Sequence, residues 1–208
     1  MAPTLSTPQS VSWRHLPHYS YPEYWALFTR VVEDRATTGT GPEQNEALAD
    51  YTRLNHTRSK RLNGRVVVPE PLKELLATLQ SPQTWLVLTE AWCGDAAQNL
   101  PYLNAMAEAS QSRVDLRLLL RDENLELMDR FLTRGGRAIP KLIALGPQDE
   151  VRFTWGARPA EAQAIVSRWK ENPTESKEEM YLRLHAWYAE NKGAALFTEF
   201  AVLLGQPA

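Results

Sequence analysis

The chain has 208 residues, 43% apolar and 23% charged, which is ordinary globular usage and enough for one domain with additions. Its 23 Lys+Arg against 25 Asp+Glu give a net charge of −2, so the basic footprint behind general nucleic-acid binding is missing and no such partner is expected. No apolar run is long enough to span a bilayer, so no membrane partner is expected, and the single Cys93 excludes an intrachain disulfide and Cys-rich zinc or iron–sulfur sites within one chain.

Residues 1–20 show neither a basic start nor an apolar core, so they do not read as a signal peptide, and a cytoplasmic location is expected. They are rich in Ser, Thr and Pro, with Trp13, His15 and His18 interspersed, and read as an irregular arm docking partly through its aromatics. Pro22 stands where a helix can start, and Tyr24, Trp25, Leu27, Phe28, Val31 and Val32 follow at helical spacing to about Arg35. Thr37 to Pro42 is a loop. Leu48, Tyr51, Leu54 and Leu62 recur near helical spacing over 43–62, the pattern of a core-facing stripe. The same helix carries Arg53, His56, Arg58, Lys60 and Arg61, which read as a solvated basic face, with an anion or acidic-partner site as the alternative.

From residue 66 strands enter the pattern. Val66-Val67-Val68 is a short β-like run, and 69–80 is a helix with Leu72, Leu75, Leu76 and Leu79 on one side. Trp85 to Leu88 is a buried strand, and 95–109 a helix interrupted by Pro101. Val114 to Leu120 is a strand, and 123–134 a helix stopped by Gly135-Gly136. Strands over 141–145 and 150–155 flank a Gly146-Pro147-Gln148-Asp149 turn. Helices follow over 159–170, 175–191 and 194–204. This alternation predicts a parallel sheet core with right-handed crossovers and a final hairpin at its antiparallel edge. Of the tryptophans, Trp25, Trp85, Trp169 and Trp187 fall on core-facing positions, while Trp92 and Trp155 are the surface candidates. His185 reads as a packed core histidine. No carboxylate or cysteine completes a metal spacing with His15 and His18, so neither a metal nor a cofactor is expected.

Cys93 lies between a strand and a helix. Amides at a helix N-terminus favour negative charge, so a thiol there tends toward thiolate, although Asp95 opposes this. The alternative is an inert buried residue.

The segment Glu90-Ala91-Trp92-Cys93-Gly94-Asp95-Ala96 resembles the WCGPC turn of thioredoxins. Pro101 matches the proline that kinks the active-site helix of that family. Gly136-Arg137-Ala138-Ile139-Pro140-Lys141 resembles its cis-proline segment, and Gly156 its glycine before the final helix. The whole chain is also similar to a group of bacterial thioredoxin-family proteins with helical extensions. The resemblance implies an α/β thioredoxin-like fold, a central mixed sheet flanked by helices, over 66–170. Residues 1–65 would be an N-terminal arm and helical extension, and 171–208 a C-terminal helical extension packed on the domain. Two departures bear on function. The second cysteine position holds Ala96, and the position of the buried acid holds Val87.

The resemblance therefore implies a monothiol redox protein. Cys93 would be catalytic, and a protein or small-molecule thiol such as glutathione would resolve it. Trp92, Gly94, Asp95, Ile139 and Pro140 would bind substrate, with Ile139 offering its backbone to an extended peptide. Arg137 would approach the thiol, while Lys141 reads as structural or exposed. The second reading is a thioredoxin-fold module that binds protein or peptide without turnover. A third is a homodimer holding an iron–sulfur cluster with glutathione, as monothiol glutaredoxins do.

Overall fold

Runs without a polar side chain, such as Trp85–Leu88 and Leu142–Leu145, suit strands covered on both faces. The computed structural model describes residues 10–39 and 45–205, and builds its sheet around these two runs. The strands are β1 (Gln83–Thr89), β2 (Val114–Leu120), β3 (Lys141–Leu145) and β4 (Val151–Gly156), in the spatial order β2-β1-β3-β4. β1 pairs in parallel with β2, from Gln83 opposite Val114 to Thr89 opposite Leu120. It pairs antiparallel with β3, and β3 antiparallel with β4. The sheet is thus mixed, as the resemblance implies, with one parallel pair where the strand–helix alternation alone suggested a parallel core. The first hairpin strand lies beside β1 in the middle of the sheet, because β3 is buried at every position and needs cover on both faces.

Val66–Val68 is not a strand. Val67 is 77% exposed, and the segment leads into a helix at Glu70. The outer edge of β2 is instead met by Tyr19, which exchanges both backbone hydrogen bonds with Leu118 at 2.8 Å. Trp13 is buried, and its indole N–H donates to Asp149 at 3.1 Å. Residues 1–9 of the arm, 40–42 of the loop, 43–44 of the second helix and 206–208 of the C-terminal extension lie outside the described residues.

Helix α1 (Tyr21–Glu33) starts with a capping box between Ser20 and Glu23, and buries Tyr24 and Phe28. Helix α2 (Glu46–Leu62) turns a different face inward from the one its apolar spacing predicts. Thr52, Asn55 and Ser59 are buried, whereas Tyr51 and Leu54 are 47% and 45% exposed. The small polar residues carry hydrogen bonds into the body of the protein. Asn55 donates to the Ala91 carbonyl at 3.2 Å and Ser59 to that of Ala97 at 3.1 Å.

Helices α3 (Glu70–Ala77) and α4 (Gly94–Ala109) follow, the latter with Pro101 inside it. After β2 come a 3-10 turn at Arg121–Glu123 and a short α5 (Leu125–Asp129), where one longer helix was expected. Thr133 and Gly136 bond each other's backbones, and Arg134 and Gly135 take positive φ, so the chain turns back there. Helix α6 (Ala160–Glu171) forms a separate small apolar cluster with α7 (Lys177–Asn191). Helix α8 (Ala194–Gly205) packs Phe200 against Trp85 and Trp155, with ring centroids at 5.1 and 5.6 Å. Trp155 is accordingly buried, not a surface residue. The strand directions bring the C-terminal ends of β1, β2 and β4, and the start of β3, to one edge of the sheet.

Candidate functional site

Cys93 lies at that edge, as the N-cap of α4. Its sulfur accepts from the Ala96 N–H at 3.4 Å and donates to the Ile139 carbonyl at 3.3 Å, where the Ile139–Pro140 peptide is cis. The residue is 7% exposed. Burial pushes the thiol up to about 12, and the Asp95 carboxylate adds to this; the Ala96 amide opposes it only in part. The expected drift toward thiolate is therefore reversed. The helix terminus favours charge, but desolvation of a buried sulfur outweighs it.

Asp95 is also buried. It accepts from the Tyr188 hydroxyl at 2.7 Å and from Arg158 Nε at 3.0 Å. Arg158 is the cation paired with Asp95. Arg137, the expected one, turns outward and forms a two-pronged pair with Asp129 at 2.7 and 2.8 Å. Position relative to the sheet explains the difference. Arg158 follows β4, whose end lies at the same edge of the sheet as that of β1, while Arg137 belongs to the exposed loop before β3.

Gly94 sits under side chains from α2 and α7. A Cβ there would come within 3.2 Å of the His185 ring and 3.7 Å of the Arg58 guanidinium. His185 is held neutral, its pKa lowered to about 4 by burial and then by Arg58. Arg58 donates to Asn55 at 2.9 Å, so at least this member of the basic set is not a freely solvated charge. Tyr188 also receives a bond from Asn99 at 3.1 Å. Helices α2 and α7 thus close over the tip that carries Cys93.

The remaining predicted residues are placed as follows. Trp92 is half-buried beneath the Arg121 guanidinium, 4.8 Å from its ring centroid. Ile139 and Pro140 are buried against the thiol, and Lys141 is buried too, donating to Thr133 at 3.4 Å. Gly156 has φ +122, and a side chain there would collide with the Pro140 carbonyl, so the two conserve the close approach of β3 and β4. Ala96 and Val87 are buried. Sequence reasoning missed Asn55, Arg58, Arg158 and Tyr188 as parts of the site. Only Arg158 had a readable signal, its place just after the last strand.

A family model described as thioredoxin matches residues 41–171, more than half of the chain. A crystal structure of an HIV epitope-scaffold is 20% identical, with a TM-score of 0.50, covering 91% of this chain and 100% of that one. A protein of unknown function from Pseudomonas aeruginosa is 18% identical, with a TM-score of 0.44, over 85% and 99% of the two chains. Comparison with the curated proteins finds no match.

Proposed function

The chain belongs to the thioredoxin family, and from that premise we propose that it is a thioredoxin-fold protein-binding module in which Cys93 is structural. The observation that carries this reading is the condition of the thiol. It is buried, hydrogen-bonded on both sides within the chain, and pushed up to about 12. Thiolate is the nucleophile in disulfide exchange, and such a thiol is almost wholly protonated at neutral pH. Ala96 supplies no second thiol. The covering helices carry the exposed apolar side chains a partner surface needs: Tyr51 and Leu54 on α2, Tyr181 and Leu182 on α7. Strand addition at Ile139 is not part of this reading, because Ile139 is buried and its carbonyl faces Cys93. A second copy of the chain is one partner this surface could take, and a cytoplasmic setting suits a lone reduced thiol.

Two observations favour the monothiol redox reading. Sγ lies against the Ile139–Pro140 segment, and Arg158 acts to lower its pKa. The two readings separate in a disulfide-reduction assay with glutathione as the resolving thiol. The binding-module reading predicts equal background turnover for wild type and Cys93→Ser. Turnover by the wild type well above that of the variant would establish the redox role instead.

A further inference from the structure

Apolar side chains grouped outside the core mark surfaces that something else covers. Helices α2 and α7 each keep such a stripe. On α2 it is Tyr51, Leu54, Arg58 and Arg61, spaced i, i+3, i+7 and i+10 along one side of the helix. Arg58 is half-buried and the other three are exposed. On α7 it is Glu178, Tyr181, Leu182 and His185, spaced i, i+3, i+4 and i+7. Leu182 is 72% exposed, whereas His185 is half-buried. The two stripes belong to one face of the protein, because Arg58 and His185, one from each, reach the same point above Gly94.

Charge divides between the two helices. Residues 51–69 hold Arg53, Arg58, Lys60, Arg61 and Arg65 and no Asp or Glu. Residues 171–179 hold Glu171, Glu175, Glu178 and Glu179 against Lys177 alone. Within the chain the two sets do not meet. Arg53 pairs with Asp50, and Glu175 with Arg183. Among the described residues, neither Arg58, Lys60, Arg61 and Arg65 nor Glu171, Glu178 and Glu179 forms an ion pair. A face with apolar side chains on both helices, bases on one and acids on the other, is complementary to itself after a two-fold rotation. A uniformly acidic or basic partner fits it less well, since it would meet like charge on one of the helices. Building on the reading of the chain as a binding module, we propose that the partner at this face is a second copy of the same chain, in an isologous dimer through α2 and α7. In that dimer α2 of one copy lies across α7 of the other, apolar stripe on apolar stripe, and Arg61 comes opposite Glu178 at two symmetry-related places.

The test is sedimentation of the full chain from about 1 to 300 μM, the range in which specific contacts of modest affinity dissociate. We expect a reversible monomer–dimer equilibrium. Arg61→Glu and Glu178→Lys, both at exposed positions, should each weaken the dimer roughly tenfold or more, because each sets like charges opposite one another at both places. An equimolar mixture of the two variants should dimerise about as well as the wild type, since each altered charge then meets its opposite. Leu182→Asp, also at an exposed position, is a further variant should either reversal fail to fold, and the same weakening is expected. A monomer at every concentration would overturn the proposal. So would a dimer that the folded variants do not weaken, or one that the mixture does not restore. The binding-module reading is decided separately, by the turnover of wild type against Cys93→Ser. A monomeric protein with background turnover therefore overturns the dimer alone, and turnover above that of the variant overturns the module reading whatever the state of association.

Discussion

Cys93 is subject to two opposed effects, and their sizes decide its state. A helix N-terminus favours a negative group by at most ~2 kcal/mol. Moving a thiol from 9 to about 12 disfavours its thiolate by roughly 4 kcal/mol. Burial comes first in that rise and Asp95 second, so removing the Asp95 charge should recover part of it. Asp95→Asn is expected to lower the titration midpoint of Cys93 by about one unit, speeding alkylation at fixed pH roughly tenfold. It should also cost on the order of 1.5–3 kcal/mol of stability through the lost bonds to Arg158 and Tyr188, read by urea unfolding. Glu90 provides a second prediction. Burial raises its pKa from 4.5 to about 7, with Asp122 adding to the rise. The folded state therefore binds more protons than the unfolded one between those values, and stability falls as pH rises through that window. His185 does the opposite. Its depressed pKa makes stability rise with pH between about 4 and 6.5. The two slopes oppose each other, so Glu90→Gln should melt higher than wild type at pH 8, by much less at pH 4.5, and show a clearer rise from pH 4 to 6.5. The motif around Cys93 made the position of the thiol readable in the sequence. Its protonation was not readable, because it depends on what α2, α7 and Arg158 bring from distant parts of the chain.

Among the elements, α2 shows most clearly where apolar spacing misleads. Its stripe at Tyr51 and Leu54 is exposed, and the face that packs is Thr52, Asn55 and Ser59. Small polar side chains let the helix lie close to α4 and bond the backbone at both sides of Cys93, a role a hydrophobic pattern does not register. Asn55→Ala is accordingly expected to cost about 1–3 kcal/mol, because the buried Ala91 carbonyl loses its donor and Arg58 its acceptor. Leu54→Ala should stay within about 0.5 kcal/mol. Chemical denaturation of the two variants checks the pair, and a reversed order would contradict the packing described. The strands were more legible. Trp85–Leu88, Val114–Leu120 and the hairpin over 141–155 all form, because their apolar runs and turn residues act locally. Sheet order was less so. The placement of β3 beside β1 and the loss of a strand at Val66–Val68 depend on which edges are already filled, one of them by Tyr19 from the N-terminal arm.

Across the whole molecule, the thioredoxin-like sheet brings three strand ends to one edge, and helices α2 and α7 close over it. Helix α2 supplies Asn55, Ser59 and Arg58, and α7 supplies His185 and Tyr188. Helix α8 packs into the main core, whereas α7 holds on through a small apolar cluster with α6, so the grip of α7 on the site is largely polar: Tyr188 to Asp95 and Asn99, and His185 near Gln98 at 3.4 Å. The most direct test of a structural thiol is the alkylation rate of Cys93 against pH, followed by intact mass with and without denaturant. One cysteine means no other thiol contributes. The account predicts slow labelling of the native protein, a midpoint well above the ordinary ~8.5, and rapid labelling once the chain is unfolded. Fast native labelling with a midpoint below 8.5 would contradict it, and would return Cys93 to the role of an activated nucleophile.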